Sequence, residues 1–580
     1  MTTRENDVGP DLFLISHNPS PPLRIGLLVD SLRLPLWKRS IVELLEAANY
    51  TEVTLVLHAD GPAWAGDRSW RTLLFRQYER MDRWLYGSRR VPEPDRLVDC
   101  RELLGAVPRA ALRVGHSAAP HRRELAEADA DLLHGLDLDV IIDLGSGELD
   151  GSIVAASANG VWQCHFGPGP DGGERHAGFP ELAGHAPLTT VSLRRDVGCH
   201  APSETLATAT TSTVAGVSWA LNRFEPLWLG TELIVQMLHR LHQHGPESLE
   251  PVPVPESCTT RASSPQATSN AATVGFLIAA LARKARRRLQ HPSPDLVNEW
   301  RLAIRPIPEQ ADGIPVLHDA SGFVWLESPP GRHWADPFIL EREGETWLFF
   351  EEYLHDEGRG VISAAPVNGD GRPGPARRVL DTGGHLSYPF LFEDGDDVYL
   401  LPESADRRST TLYRATDFPH HWERAVDLGV GLQLLDTTIL HENGLYWIFT
   451  TVPGRHRSGY TVLLFWAESL EGSWHPHPAS PICRDIRYAR GAGSIIRSDG
   501  RLFRPVQDGA GGYGRRIHFF EIRELTMGTF REEYCGTLDP TALPDAPSRL
   551  EGVHTYNRSG HFEVIDGVRL ERRPGYRDRT

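Results

Sequence analysis

The chain reads as two domains of different fold class. A doubly wound α/β domain is expected over residues 24–243, and an all-β five-bladed propeller over residues 297–570. Three observations predict this division. Strand-like and helix-like segments alternate through the first half. A Pro/Ser/Thr-rich stretch interrupts the middle. A unit of strand, Gly turn and strand then recurs every 48 to 60 residues. The length of 580 residues leaves room for two to four domains at roughly 100–200 residues each.

Residues 1–23 show no periodicity and carry early acids with no apolar core of a leader, so a disordered N-terminus without a secretory signal is expected. The run IGLLVD (25–30) suits a buried parallel strand. Trp37, Ile41, Leu44, Leu45 and Ala48 follow at helical spacing, and Val53, Leu55 and Leu57 alternate as a strand. That succession is a βαβ unit with a right-handed crossover. Further helices are predicted at 73–85, 122–134 and 226–242, and further strands at 140–144 and 189–193. Residues 244–275 are read as linker, because Pro, Ser, Thr and Ala bury too little apolar surface to order a segment. The stretch LARKARRRL (281–289) is a basic helix, either a solvated face or a patch for an anionic partner; the linker and this helix together fill 244–296.

The propeller repeat is explicit. WADPFILEREGETWLFFEE (334–352), LSYPFLFEDGDDVYLLPES (386–404), LLDTTILHENGLYWIFTTV (434–452) and GAGSIIRSDGRLFRPVQD (491–508) align on their Gly turns, and EGVHTYNRSGHFEVIDG (551–567) is a weaker fifth copy. Five four-stranded blades closed in a ring leave no long exposed edge. Residues 299–307 or 323–328 are expected to complete the last blade, and 571–580 to form a tail. In a propeller the first strand of each blade lines the axis. Asp336, Tyr388 and Asp436 begin that strand in copies one to three. The second strand returns to the same mouth, ending near Glu351, Glu403 and Asp508. One funnel is therefore expected to gather these acids. Crowded carboxylates raise one another's pKa. A raised acid beside an ionised carboxylate is the equipment of glycoside cleavage. The same cluster also suits a hard divalent cation, or pairs with arginines such as Arg490.

Composition excludes several classes. Net charge is −17, which disfavours nucleic acid as partner. No apolar run reaches the roughly 18–20 residues of a membrane helix, and a cytoplasmic location is the expectation. Six scattered cysteines without a CxxC pair argue against a disulfide scaffold or a cysteine zinc site. Only Lys38 and Lys284 are lysines, so a Schiff-base mechanism has few candidates; the arginine bias fits a high-GC bacterial genome.

Two resemblances sharpen the expectations. WADPFI (334–339), HLSYPFLF (385–392), YLLPES (399–404), LYRATDFPHHW (412–422), DTTIL (436–440) and WAESLEGSWHPHPASP (466–481) resemble the five-bladed propellers of the arabinanase/invertase clan of glycoside hydrolases. They resemble still more the propeller domain of plant glucosamine inositolphosphorylceramide transferases. The resemblance implies Asp336 as base, places Tyr388 at the position of the pKa-modulating acid, and leaves Glu403 or Asp436 as proton donor. LRIGLLVDS (23–31), DVIIDLGSG (139–147) with GVWQCHFGPG (160–169), and PLTTVSLRRDVG (187–198) resemble folate-dependent formyltransferases. That resemblance implies 10-formyltetrahydrofolate as cofactor and His165 as proton shuttle. Gln163 stands in place of the family Asn, His200 in place of the family Asp, and Arg175 in the acceptor loop.

The reading that follows is a carbohydrate-active protein. Its propeller binds or processes a glycan, nucleotide sugar or glycoconjugate, and its formyltransferase-like domain is degenerate. Two alternatives stand: an active N-formyltransferase acting on an amino sugar or small amine, and a non-enzymatic scaffold.

Overall fold

The computed structural model describes residues 11–60, 70–87, 92–116, 122–125, 135–145, 148–150, 152–167, 173–198, 202–214, 216, 218–253, 268–290, 296–307, 313–404, 410–428, 432–546 and 550–572. The chain separates into two compact units, residues 1–286 with 454–459, and residues 287–453 with 460–580.

The first unit is built on a nine-stranded mixed sheet. Leu23–Val29, Thr51–Asp60 and Arg109–His116 lie in parallel succession on one side; Val140–Asp143 and Val161–Phe166 extend it in parallel on the other. Strand order reverses between Leu23–Val29 and Val140–Asp143, so their C-terminal ends form a topological switch point, the usual ligand crevice of open α/β sheets. Leu188–Asp196 and Glu204–Ser212 continue the sheet in antiparallel fashion. One face is covered by Leu36–Ala47, which buries Trp37, Ile41 and Leu45, and by Trp219–His244. Ser218 caps the latter helix, its Oγ accepting from Leu221 N at 3.3 Å. On the other face Leu28, Leu57 and Ile141 pack on the Ser152–Ala155 turn.

Four expectations for this unit change. The segment predicted as a helix at 122–134 opens as a strand, Arg122–Leu125, antiparallel to Arg109–His116; residues 126–134 lie outside the described residues. Arg122, Arg123 and Glu124 imitate a polar helix face, yet the segment is paired on both sides, with Arg109–His116 and with Glu148–Asp150. The Thr-rich strand Glu204–Ser212 was not predicted. Residues 11–23 are ordered: Tyr50 Oη donates to Phe13 O at 2.7 Å and Ser16 Oγ to Gln243 Oε1 at 2.8 Å. The basic helix begins at Asn270, inside the expected linker, because Phe276 and Ala280 pack with Phe75, Tyr78 and Phe179.

The second unit is the five-bladed propeller. Blade I comprises Arg332–Arg342, Glu345–Leu354, Arg359–Val367 and Arg377–Leu380; blade II Leu386–Asp394, Asp397–Ser404, Thr410–Asp417 and His421–Leu428; blade III Leu435–Glu442, Leu445–Pro453, Tyr460–Ala467 and His475–Pro476. In blade IV the innermost position is divided between Arg490–Gly491 and Ile496–Ser498, which both pair with Arg501–Gln507, followed by Ile517–Leu525 and Phe530–Leu538. Blade V joins the two ends of the propeller: Tyr556–Arg558 and Phe562–Arg572 pair onward with Leu296–Pro306 and then Val324–Trp325. Both segments expected to close the ring do so. The closure is continuous from Leu296↔Arg572 to Pro306↔Phe562.

Candidate functional site

The inner strands of blades I to III share one irregularity. Asp336, Tyr388 and Asp436 have φ of +50°, +44° and +44°, and the ladder shifts register at each of them. These are β-bulges with a non-glycine residue in the left-handed region, a conformation that costs of order 1–3 kcal/mol and persists only where surroundings enforce it. The enforcement is visible. Each bulged residue turns its N–H toward a carboxylate of the preceding blade: Asp336 N to Asp566 Oδ2 (3.0 Å), Tyr388 N to Asp336 Oδ2 (3.0 Å), and Asp436 N to Glu403 Oε2 (3.1 Å). In blade IV Gly493, with φ +136°, takes the strained position.

The acids therefore do converge on the axis, in two groups. In the first, Asp336, His554 and Asp566 form a buried relay. His554 Nδ1 lies 2.6 Å from Asp566 Oδ2 and Nε2 lies 3.3 Å from Asp336 Oδ1. Thr555 Oγ1 donates to Asp336 Oδ1 at 2.8 Å, and the amides of His554 and Thr555 donate to Asp566 Oδ1. Burial opposes charge on His554, yet Asp566 and Asp336 outweigh it and hold the imidazole above its ordinary value. Burial pushes Asp336 up, His554 opposes it, and Asp566 adds to it. Glu351, buried nearby with His385 Nε2 at 3.8 Å, is raised well above the ordinary range by burial, Asp336 and Glu403.

The second group is Glu403, Asp436 and Arg490. Arg490 grips Asp436 in bidentate fashion, Nε to Oδ2 at 2.6 Å and Nη2 to Oδ1 at 2.9 Å, and Nη2 also reaches Glu403 Oε2 at 3.5 Å. Glu403 is pushed up to about 8, by burial first and by Asp436 second, against the pull of Arg490. This group has the more open surroundings. The guanidinium lies over the rings of Tyr460 and Tyr513, at 5.4 and 5.1 Å from their centroids. Tyr513 is 54% exposed. Trp300 stacks on His554 at 3.9 Å and meets Tyr513 edge-on at 6.3 Å. An aromatic wall beside paired carboxyls is a surface suited to the apolar face and hydroxyls of a sugar.

Two expected members of the funnel are placed differently. The Tyr388 phenol is a strut rather than a ligand contact. Its oxygen accepts from Gly493 N at 2.9 Å, lies 3.0 Å from Gly493 O and 3.1 Å from Thr438 Oγ1, and is buried between blades II and IV. Asp508 stands apart from the acid cluster. Gln507 ends its strand and donates to Gly491 O at 2.6 Å. Asp508, one residue on, turns into the loop to accept from Ala510 N at 2.8 Å, with His518 Nε2 at 3.4 Å and Arg516 Nε at 3.5 Å. Burial works against its charge, but these partners hold it below the ordinary range.

In the first unit, Asp143 and Gln163 meet at the switch point, Gln163 Nε2 donating to Asp143 Oδ2 at 3.2 Å. Asp143 Oδ1 also accepts from Gly145 N at 2.8 Å. Lys38 Nζ donates to Leu144 O at 2.8 Å and pairs with Glu174 at 2.5 Å. His165 shares the face of Gln163 on Val161–Phe166 and is buried. Its Nδ1 has no hydrogen-bond partner among the described residues. Burial, helped by Arg194, lowers it to about 3. Arg175 sits half-buried in the Glu174–His176 turn, whose carbonyls accept from Arg223. His200 lies outside the described residues.

Among the described residues two side-chain groups have metal-ligand chemistry, Asp336/His554/Asp566 and Glu299/His333/His355. The first fits a hard cation poorly, since its carboxylate oxygens already accept from Tyr388, Thr555 and His554 and such ions ask for six or more oxygen ligands. In the second, His333 Nδ1 and His355 Nε2 are 3.0 Å apart.

Fold and site together define a five-bladed propeller with an acid-lined axis. Residues 315–538 match the family described as glucosamine inositolphosphorylceramide transferase 1, N-terminal. The glucosamine inositolphosphorylceramide transferase 1 of Arabidopsis thaliana is 32% identical over 243 residues, 40% of this chain and 31% of that protein. The protein of the same name from Oryza sativa subsp. japonica is 32% identical over 208 residues, 35% and 28% respectively. The chain thus spans about a third or less of the length of these curated relatives. Among solved structures, the catalytic domain of Coprinopsis cinerea GH62 α-L-arabinofuranosidase is 11% identical, covering 43% of this chain and 96% of its own, with a TM-score of 0.33. The exo-β-1,3-galactanase 1,3Gal43A of Clostridium thermocellum is 14% identical, covering 36% and 51%, with a TM-score of 0.29.

Sequence reasoning missed Trp300, Tyr513, His554 and Asp566. The last two lay in the weak fifth copy, and a single Asp closing the apolar run FEVID (562–566) was the available signal. Trp300, His554 and Asp566 also fall outside the matched span of 315–538.

Proposed function

We propose that the propeller is a carbohydrate-active module that takes the sugar of a glycoconjugate against Trp300 and Tyr513, with Glu403 and Asp436 as its polar contacts. The observation that carries this reading is the meeting of Glu403 and Asp436 at one guanidinium. Arg490 grips Asp436 through both of its oxygens, while burial keeps a proton on Glu403 at neutral pH. One carboxyl donates and its neighbour accepts, the division of labour that glycoside chemistry uses. Asp336 and Asp566 spend their oxygens on the bulge amides and His554, so we assign them to building the site. The name shared by the matched family and the curated relatives supports an amino sugar or an inositol phosphate headgroup as the ligand class.

For the first unit we propose that formyl transfer does not operate. Gln163 gives its amide hydrogen to Asp143 instead of to an incoming carbonyl. A histidine held near 3 is a poor base at neutral pH.

The test is calorimetric titration of the full chain with glucosamine, inositol phosphate, a nucleotide sugar and 10-formyltetrahydrofolate. Saturable binding of a sugar ligand, lost in Asp436→Asn and weakened in Glu403→Ala, is the expected result. Sugar binding that both variants retain removes the axial site from the proposal. His165-dependent release of tetrahydrofolate restores the formyltransferase reading, and no binding of any ligand leaves a scaffold.

A further inference from the structure

Two helices of the first unit carry apolar residues on the wrong side. Leu73–Tyr86, with the Trp70–Thr72 turn before it, buries Phe75, Tyr78 and Asp82. Trp70, Leu74, Met81 and Trp84, spaced at four, seven and three residues, form a second stripe beside the buried one and are all exposed. Trp70 is 76% exposed and Trp84 80%. Asn270–Gln290 repeats the arrangement. Thr273, Phe276 and Ala280 are buried, whereas Val274, Ile278 and Leu281 face out, Ile278 at 63% and Leu281 at 62%. The two helices are neighbours. Asn270 Nδ2 donates to Trp70 O at 2.8 Å, Asn270 Oδ1 accepts from Leu74 N at 2.8 Å, and Tyr78 and Phe276 meet edge-to-face at 5.6 Å. Their inward sides share one cluster with Phe179, Leu182 and Trp219. Each helix therefore carries an exposed apolar stripe in addition to the side it turns to the common core.

Scattered exposed apolar residues need no explanation, but two stripes on adjacent helices do. Charge selects the occupant. The sequence has net charge −17, yet residues 70–86 and 270–286 together hold seven Arg and Lys against Glu79 and Asp82. Of those two acids, Asp82 is buried and accepts from Ala220 N at 2.7 Å, and Glu79 pairs with Arg83 at 3.4 Å. Arg283, Lys284 and Arg286 stand beside the second stripe with no acid in that helix. A second copy seated on this face would set cations against cations. An anionic lipid surface neutralises them, accepts the aliphatic side chains, and takes exposed tryptophans at headgroup depth. No helix among the described residues is long and apolar enough to cross a membrane, so the contact is one of lying on the surface.

We infer that these two helices dock the protein onto an anionic lipid surface. This inference is independent of the axial site.

The experiment is flotation of the full chain with vesicles of phosphatidylcholine alone and of phosphatidylcholine with phosphatidylglycerol, at low and high salt. Binding to the anionic vesicles, reversed by salt and about tenfold weaker in Arg283→Glu/Lys284→Glu, is the expected result. Trp84→Glu/Ile278→Glu abolishes it while far-ultraviolet circular dichroism is unchanged. Should that variant unfold, quenching of the unsubstituted protein's tryptophans by brominated lipid replaces it; quenching is expected, and its absence overturns the inference. Equal binding to both vesicle types, or to neither, also overturns it. So does a concentration-dependent dimer that the same substitutions dissociate, because the face then belongs to a second copy.

Discussion

His554 at the propeller axis and His165 in the α/β sheet are the same side chain at nearly the same depth, 2% and 7% exposed. They titrate in opposite directions. His554 lies between Asp566 and Asp336 and is held above its ordinary value; His165, whose Nδ1 has no partner among the described residues and which has Arg194 nearby, falls to about 3. Burial alone disfavours the charged imidazole; the carboxylates on either side of His554 reverse that, and among the described residues His165 has no such pair. The same contrast separates Glu403, whose proton is held by burial beside Asp436 and Arg490, from a carboxyl that is simply paired, such as Asp508.

The comparison breaks most readily at Asp566. Asp566→Ala leaves His554 and the Asp336 amide without their shared acceptor, and a loss of about 3–5 kcal/mol is expected in urea denaturation. Unchanged stability would show that the relay is not what holds blades V and I together. Next comes the pH dependence of Glu403. Its native value is raised, so the stability it gives is complete below the ordinary Glu range and is lost as pH rises through about 8. Sugar binding by the unsubstituted chain is expected to fall over the same rise. Glu403→Gln, which keeps the donor, flattens both curves between pH 6 and 9. A wild-type curve that is already flat removes the protonated Glu403.

His165 carries the opposite sign. Its native value is lowered, so its contribution is present above the ordinary His range and is lost as pH falls toward about 3. The slope is about 1.4 kcal/mol per pH unit where only the unfolded chain is protonated. His165→Gln is expected to reduce acid sensitivity between pH 6 and 4.5 and to leave sugar binding within about twofold, since it touches no axial residue. The smallest effect is expected at Asp508. Asp508→Asn keeps an oxygen for Ala510 N and removes only the charge facing buried His518 and the part-exposed Arg516, and it leaves titration of a sugar ligand unmoved. A large binding defect there would return Asp508 to the funnel.

Much of the propeller was legible because its strained bulges repeat. Asp336, Tyr388 and Asp436 occupy one structural position in three blades, and Ala335↔Glu351, Ser387↔Glu403 and Leu435↔Thr451 keep one register. Identity at a position was legible, but direction was not. Nothing in the pattern told that the Tyr388 hydroxyl would bridge to Gly493, or that the strand would end at Gln507 and turn Asp508 away. A strand sets faces by alternation, so one residue of offset changes the partner set. His554, Asp566 and Trp300 escaped because blade V takes strands from both ends of the domain, which dissolves the repeat there. In the α/β unit the buried parallel strands declared themselves by apolar runs. The charged segment Arg122–Leu125 did not, since it has neither an apolar run nor an alternation to set a strand apart from a polar helix face.

The union of Leu296–Pro306 with Phe562–Arg572 also fixes the order in which the site comes into being. Trp300 is synthesised more than 250 residues before His554 and Asp566, and it waits without its stacking partner until the last segment has emerged. A ribosome-bound chain lacking that segment holds Glu403, Asp436 and Arg490 but neither the acceptor for the Asp336 amide nor the complete aromatic wall. Ligand recognition should therefore arrive in a single late event, and a nascent or C-terminally clipped chain would be silent rather than partly competent.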